Sequence, residues 1–245
     1  MTLIAFDLDD TLMKCGKDYI KAKETFAEFI STNYPITFDH ALETFEEIDQ
    51  KSVEKYGLSM ERFPKSMVKS YNELVSNPLV KEEEHVRGVG YTVFKSANEY
   101  SNRGFMSGAK EVLTRLNEMG FELHLITAGD KRVQQKKVDG LNLDNFFNET
   151  HITEMGGKPE CLGRLIENSQ FDSDEVFLVG NSMRSDIKSA LEVDANGVYI
   201  PAHEWRATEE TQKFEQRDDV YMFEDMNELH QNLGIFEQEK RLQNH

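Results

Sequence analysis

Three aspartates follow a short apolar run at the start of the chain, in the segment LIAFDLDDTLM at residues 3–13. Asp7, Asp9 and Asp10 lie within four positions, directly after residues whose composition is that of a buried strand. Like charges this close repel one another, and burying them is costly unless something positive lies among them. The spacing raises the question of which positive partner these carboxylates have.

The elements that must position these aspartates begin with a predicted strand at residues 2–8 and continue after residue 104 as alternating helices and strands. Further strands are predicted at residues 121–129, 150–153, 175–181, 197–201 and 220–225, and helices at residues 107–120, 130–138, 158–169, 184–193 and 226–233. Strands that alternate with helices favour a parallel sheet covered on both faces. We therefore predict an α/β fold with a Rossmann-like, doubly wound parallel sheet.

The segment between the first strand and this alternating region contains no convincing strand and repeats its apolar side chains at helical spacing. We predict an inserted α-helical cap domain at residues 16–99, made of four helices, and a core domain at residues 1–15 and 100–245. Hinges are expected near Gly16 and Gly104, because glycine permits unusual backbone dihedrals. The tail, residues 237–245, is polar and is expected to be frayed.

Polar side chains also follow the later strands of the predicted sheet. Thr127 and Ala128 end one strand, Lys158 begins the helix after the next, and Asn181 and Asp186 follow the strand after that. In a parallel sheet, ligands bind beyond the carboxyl ends of the strands. We therefore expect these groups to meet the aspartates at one edge, where Lys158 and a bound hard metal ion supply the positive charge.

The composition excludes several kinds of partner. The formal net charge is −17, so the surface repels nucleic-acid phosphates and anionic membranes.

The predicted strand at residue 2 leaves no room for a signal peptide, and a cytoplasmic location is expected. Cys15 and Cys161 are expected to be packing residues. His85, His151 and His203 lack ligand spacing, and His124 is expected to be a core or helix-facing residue rather than a ligand.

Four polar clusters lie at the ends of the predicted strands, and their order along the chain is residues 7–11, 127–128, 158 and 181–186. In this order they resemble the motifs of the haloacid dehalogenase (HAD) superfamily of aspartate-dependent phosphohydrolases. The first motif, D-x-D-x-T, is met by residues 7–11, the second by Thr127, and the third by Lys158 in GGKPE. The fourth, an acidic loop, is met imperfectly by GNSMRSD. The resemblance spans residues 1–15 and about 100–235, and the helical insert resembles the helical cap that the family places after its first motif.

The resemblance implies a Mg²⁺-dependent phosphatase that acts on a small phosphorylated metabolite. Asp7 is then the nucleophile that becomes an aspartyl phosphate, and Asp9 is the acid and base that moves the proton. Lys158 is implied to hold Asp7 and the phosphate together as a point charge. The implied substrate-binding residues are Thr11, Thr127, Ala128 and Lys158, and the implied metal ligands are Asp7, Asp9, Asn181 and Asp186.

Other chemistries stay open on the same motifs. Phosphatases of the family usually have Asp where this chain has Asn181, and an Asn in this loop is also found in the dehalogenase branch. Dehalogenases do not need a second aspartate as acid, so Asp9 favours phosphate chemistry. A phosphomutase would pass the phosphoryl group to a sugar hydroxyl, and the motifs do not separate it from a phosphatase. A catalytically silent relative is disfavoured by the complete set of Asp7, Asp9, Thr127 and Lys158.

Overall fold

A computed structural model describes residues 2–202, 211, 213–214 and 217–237 and contains a six-stranded, all-parallel sheet. The strand order is β3-β2-β1-β4-β5-β6. The strands are β1 at Leu3–Phe6, β2 at Glu122–Ala128, β3 at Glu149–Thr153, β4 at Val176–Gly180, β5 at Asn196–Tyr199 and β6 at Val220–Met222. The predicted α/β fold is therefore confirmed, and every predicted strand is found at its expected place.

Helices cover the sheet and fill the insert between β1 and β2. They are α1 at Gly16–Asn33, α2 at Phe38–Tyr56, α3 at Arg62–Leu74, α4 at Val80–Tyr91, α5 at Ala97–Arg103, α6 at Ala109–Glu118, α7 at Lys131–Leu141, α8 at Lys158–Asn168, α9 at Lys188–Leu191 and α10 at Met226–Gln231. The predicted helix at residues 184–193 is replaced at its start by a π-helical turn at Met183–Ile187.

Strand β1 is buried on both faces of the sheet, as a central parallel strand must be. Ile4 and Phe6 pack into one hydrophobic cluster, whereas Leu3 and Ala5 pack into another on the α8 side. Side chains alternate along a strand, so Asp7 continues the row of Leu3 and Ala5. The alternation therefore directs the first aspartate toward the face that α8 covers.

Helices α1 to α4 have a hydrophobic cluster of their own, which includes Phe26, Phe45, Phe63 and Tyr71. A Cβ at Gly90 of α4 would lie 2.6 Å from the Cα of Pro64, so these two helices approach too closely there for a larger residue. Tyr100 of α5, by contrast, belongs to the cluster of the α/β core. We therefore propose that the cap and core are separate domains, as the sequence predicts.

The chain leaves the core through a tight turn at Asp10, whose φ is 57°. The Asp10 carboxylate accepts hydrogen bonds from the backbone N–H groups of Cys15 and Gly16, at 2.7 and 2.9 Å, and so fixes the start of α1. The chain returns at Gly104, whose φ is 69°. Of the two predicted hinge glycines, Gly104 adopts a left-handed backbone and Gly16 does not.

In the described ranges, no helix combines the length and the apolar composition that crossing a membrane requires. The polar tail that was expected to be frayed lies, after Glu237, outside the described residues.

Candidate active site

Asp7, Lys158 and Asp186 meet at the carboxyl edge of the sheet, although they lie far apart in sequence. Lys158 is the first residue of α8 and donates hydrogen bonds to Asp7 Oδ1 at 2.5 Å and to Asp186 Oδ1 at 2.6 Å. All three side chains are buried. One ammonium group therefore bridges two carboxylates in the interior of the protein.

Burial controls the ionisation of this group. Burial raises the pKa of Asp7 to about 7, although the charge of Lys158 opposes the rise, and the nearby carboxylate of Asp186 adds to it. Burial also disfavours the charged form of Lys158, but Asp186 and Asp7 outweigh it and keep the pKa of Lys158 above its usual value. Lys158 is therefore charged, and the two carboxylates are only partly compensated.

Thr11 connects Asp7 to Asn181, which lies just beyond β4. The buried Thr11 hydroxyl lies 3.1 Å from Asp7 Oδ2 and 3.2 Å from Asn181 Oδ1. The Thr11 hydroxyl therefore orients the side chains of Asp7 and Asn181, which are neighbours in the site. We refer to Asp7, Thr11, Lys158, Asn181 and Asp186 as the Asp7 cluster.

The π-helical turn brings Asp186 to Lys158. Asp186 Oδ2 accepts a hydrogen bond from the Ser182 backbone N–H at 2.9 Å, and Asp186 Oδ1 lies 3.2 Å from Ser185 Oγ as well as near Lys158. A Cβ on Gly180 would lie 2.3 Å from the Asp186 carboxyl group, so only glycine fits at the end of β4. π-helical turns are often found at functional sites, and this one serves to direct a fully buried carboxylate inward.

Asp9 has a different environment, which is formed mainly by α7. Lys137 donates hydrogen bonds to both carboxylate oxygens of Asp9 at 2.7 Å, and the Cys15 thiol lies 3.1 Å from Asp9 Oδ1. Burial raises the pKa of Asp9, but the charge and hydrogen bonds of Lys137 outweigh it and lower that pKa below its usual value. Asp9 is therefore ionised and held by a buried lysine.

Gln134, one turn before Lys137 on α7, links Asp9 to Thr127. Its side-chain amide donates to Thr127 Oγ1 at 2.5 Å and to Asp9 Oδ2 at 3.2 Å, and it lies 3.4 Å from the carbonyl oxygen of Ala128. The structure thus joins the second motif to the first through a residue that the motifs do not contain. We refer to Asp9, Cys15, Gln134 and Lys137 as the Asp9 cluster.

Gln134 and Lys137 are not predicted from the sequence as site residues, because the segment KRVQQKK has the composition of a solvated helix face. A signal was nevertheless present: the two residues share the helical spacing of the buried Val133, Val138 and Leu141. Because a lysine is rarely fully buried without a partner, its place in an apolar stripe indicates a carboxylate opposite it.

A cavity of about 280 Å³ lies between the Asp9 cluster and the helical insert. Asp9, Ala128 and Lys137 line it from the core, and Tyr19 and Arg62 line it from the insert. Arg62 forms an ion pair with Asp49, but its buried Nε has no hydrogen-bond partner in the part of the chain that the structure describes. The cavity is therefore lined by charged groups from both the core and the insert, which suit a small polar ligand.

The donor atoms of the Asp7 cluster fit a hard divalent cation such as Mg²⁺. Asp7 Oδ2 and Asn181 Oδ1 both lie within 3.2 Å of the same hydroxyl, so two oxygen ligands are close together. Two buried carboxyl groups share one ammonium, so when both are ionised the cluster has an excess of negative charge that a cation would balance. Asp186 is fully buried, whereas Asn181 is partly exposed, so Asn181 is the more accessible donor beside Asp7.

Comparison with known proteins gives a consistent result. The sequence model of a hydrolase family, described as haloacid dehalogenase-like hydrolase, matches residues 1–194. A protein of Pyrococcus abyssi named glyceraldehyde 3-phosphate phosphatase is 27% identical over 204 residues, which cover 81% of this chain and 80% of that protein. A protein of the same name from Methanocaldococcus jannaschii is 25% identical over 243 residues, which cover 97% of this chain and 98% of the other.

A solved structure from Xanthomonas campestris, described as a haloacid dehalogenase-like family hydrolase, has the same fold. It superposes with a TM-score of 0.77 and 17% identity and covers 96% of this chain and 91% of its own. Identity this low supports the fold alone.

Proposed function

The chain belongs to the haloacid dehalogenase-like hydrolases and is a phosphatase, and we propose that it is Mg²⁺-dependent and cleaves a small phosphorylated metabolite through an aspartyl phosphate on Asp7. The observation that carries this proposal is the contact of Lys158 with Asp7 and Asp186. A nucleophilic carboxylate needs a fixed cation that holds it beside the incoming phosphate, and Lys158 supplies that charge without titrating near neutral pH.

In the first proposed step, Asp7 attacks phosphorus in line with the leaving oxygen. The P–O bond to the substrate breaks as the bond to Asp7 forms, and the leaving oxygen takes a proton from Asp9. Asp9 must therefore gain a proton, although Lys137 favours its ionised form. The negative charge of an incoming phosphate acts in the required direction, because a nearby like charge raises the pKa of a carboxyl group.

In the second step, Asp9 removes a proton from a water molecule that attacks the aspartyl phosphate. Asp7 leaves as a carboxylate, and inorganic phosphate is released.

Thr127 and the backbone N–H of Ala128 are proposed to bind phosphate oxygens. The Asp7 carboxylate, the backbone carbonyl of Asp9 and Asn181 would hold Mg²⁺, which would neutralise the phosphate charge. In this proposal Asp186 adds charge and orients Lys158.

For the substrate, we propose glyceraldehyde 3-phosphate or a sugar phosphate of similar size. The support is the name shared by the relatives and the cavity of about 280 Å³, which suits a small molecule. Arg62 is proposed to recognise the carbonyl or hydroxyl end of the substrate, because it lines that cavity and its Nε has no hydrogen-bond partner among the described residues. A buried polar group that pairs only with the correct substrate contributes strongly to specificity.

The test is phosphate release from glyceraldehyde 3-phosphate and a panel of other phosphorylated metabolites, with and without Mg²⁺. We expect chelator to abolish turnover, Mg²⁺ to restore it, and Ca²⁺ to restore it less completely because its coordination is looser. The Arg62→Lys variant should raise KM for the triose phosphate more than for p-nitrophenyl phosphate. Full turnover in chelator would contradict the metal requirement, and an isomeric sugar phosphate as product would identify a mutase instead.

A further inference from the structure

Two histidines and two glutamates lie together at the edge of the sheet, away from the residues used above. On β2 they are Glu122 and His124, and on the edge strand β3 they are Glu149 and His151. The strand register places His124 beside Glu149, and His151 beside Ile126, so these side chains share one face of the sheet. We refer to these four residues as the His–Glu cluster.

The cluster is separate from the proposed phosphatase site. His124 pairs with Ala5 of β1, two residues before Asp7, so it lies further back along the strands. It faces an open groove of about 970 Å³ whose walls include Cys161 and Arg164 of α8. The proposed catalytic residues Asp7, Asp9 and Lys158 do not line this groove.

The distances between the potential ligand atoms match those around a tetrahedral metal ion. His124 Nδ1 lies 3.4 Å from His151 Nε2, and His151 Nε2 lies 3.3 Å from Glu149 Oε2. A tetrahedral ion bound at about 2.0–2.1 Å separates its ligand atoms by roughly 3.3–3.4 Å. One ligand atom from each of these three residues lies within 4.8 Å of the other two, so a small adjustment of the exposed Glu149 completes the set.

Glu122 provides an independent indication of a metal ligand. Its Oε1 lies 2.9 Å from His124 Nε2, the ring nitrogen opposite to the one that faces His151. A carboxylate at this position holds the proton on Nε2 and leaves a lone pair on Nδ1, directed toward the other ligands. Metal-binding histidines almost always have such a partner on their second nitrogen. His124 is buried, so its ring is held in this orientation.

We propose that His124, His151 and Glu149 bind a transition-metal ion of the Zn²⁺ or Co²⁺ type, with Glu122 as the residue that orients His124. Imidazole nitrogens select such ions over Mg²⁺, which prefers oxygen ligands. Three protein ligands leave a fourth position that faces the open groove and takes water. The ion joins edge strand β3 to β2, so binding stabilises the folded chain by an amount that grows with the logarithm of the metal concentration.

The test is a titration of the full chain with Zn²⁺ by calorimetry and with Co²⁺ by visible absorption, in excess Mg²⁺ so that hard-ion sites are filled. We expect one equivalent to bind, with the intense absorption bands of tetrahedral Co²⁺. At a hundredfold excess of Zn²⁺ over Kd, Tm should rise by roughly 5–10 °C.

The decisive variants are His151→Ala and Glu149→Gln, because both residues lie on an edge strand and are partly exposed, so the fold should tolerate the change. Each should lose the Co²⁺ bands and the thermal shift, whereas Glu122→Gln should weaken binding by about 10–100-fold. The exposed His40, on α2, provides the control His40→Ala, which should bind as the unmodified protein does. Stoichiometric binding that survives in His151→Ala, or no binding by the unmodified chain, would overturn the proposal.

The phosphatase proposal and this one fail independently. Mg²⁺-supported phosphate release should be unchanged in His151→Ala, since His151 does not line the cavity beside the Asp9 cluster. A variant that keeps its activity but loses the Co²⁺ bands supports the second site alone.

Discussion

The Asp7 cluster and the Asp9 cluster both pair a carboxylate with a buried lysine, yet the pKa values of the two carboxyl groups shift in opposite directions. Asp7 shares Lys158 with Asp186, and burial raises its pKa to about 7. Asp9 is the carboxylate that Lys137 contacts, and Lys137 Nζ lies 2.7 Å from both of its oxygens. The pKa of Asp9 is lowered although burial opposes this. The difference lies in the number of carboxylates that each ammonium must serve.

This comparison separates the two proposed roles. A site with surplus negative charge is suited to bind a divalent cation together with a nucleophile. A site with balanced charge holds its carboxylate in place until the substrate changes the local field. The Asp9 side chain is also 35% exposed toward the cavity, whereas the Asp7 side chain is 8% exposed. The four variants below test this division, in order of decreasing effect.

The largest expected effect comes from Asp7→Asn, which removes the nucleophile and keeps the shape of the side chain. Turnover should fall by about 10⁴ or more, because the Asn amide does not form the phosphoryl intermediate. The fold should survive, since Lys158 keeps Asp186 as its partner. Steady-state kinetics with matched circular dichroism spectra check this, and activity within tenfold of the unmodified enzyme would remove Asp7 from the mechanism.

The next effect comes from Asp9→Asn, which keeps the nucleophile and removes the proton shuttle. For a sugar phosphate, whose leaving group is a poor one, the first step should slow by about 10²–10⁴. For p-nitrophenyl phosphate that step should slow much less, because nitrophenolate leaves without a proton. Single-turnover rates on the two substrates provide the measurement. Equal losses on both would show that Asp9 has another role.

A smaller effect is expected when Lys137, the partner of Asp9, is replaced. In Lys137→Met the carboxylate loses the group that orients it, and turnover of a sugar phosphate should fall by about 10–100-fold. The loss should again be smaller for p-nitrophenyl phosphate if Lys137 acts through Asp9. Lys136→Met is the matched control, because Lys136 is the exposed neighbour on the same helix.

The same pair of variants also reports on stability. Because Asp9 is partly exposed, the free energy of unfolding should fall by about 1–3 kcal/mol in Lys137→Met, less than for a fully buried pair. Lys136→Met should lie within about 0.5 kcal/mol of the unmodified protein. If the two variants behave alike in denaturant and in kinetics, the Lys137–Asp9 contact has no special role.

The smallest effect concerns Asn181 in the Asp7 cluster. Asn181→Asp adds a carboxylate where the structure places an amide oxygen near Thr11 and Asp7. If Asn181 is a metal ligand, the added charge should tighten Mg²⁺ binding by about tenfold. Calorimetric titration with Mg²⁺ measures this. An unchanged or weaker affinity would place Asn181 away from the ion.

The fold and the members of the Asp7 cluster could be predicted from the sequence, because both follow from strong local patterns. Polar residues lie at or beyond the ends of four predicted strands, and parallel strands bring those ends to one edge, so the meeting of Asp7, Lys158, Asn181 and Asp186 could be predicted from their order. The π-helical turn could not be predicted from the sequence, because it accompanies the tertiary contact of Asp186 with Lys158.

The Asp9 cluster and the His–Glu cluster were not predictable in the same way. Lys137 lies in a run of polar residues, and its role depends on which face of α7 is turned toward the first motif. His124 and His151 are separated by 27 positions, and they meet only because β2 and β3 are neighbours in a particular register. Sequence spacing detects ligands on one element, whereas both of these clusters form between elements.

The most direct test of the central claim is to locate the phosphoryl group on the protein. The Asp9→Asn enzyme should react with p-nitrophenyl phosphate in a burst of one nitrophenol per site and then stall, because hydrolysis of the intermediate lacks its base. Rapid quench followed by mass spectrometry of the peptide that contains residues 1–14 should find the phosphoryl group on Asp7. A phosphoryl group on a histidine or serine, or none on this peptide, would contradict the proposed mechanism.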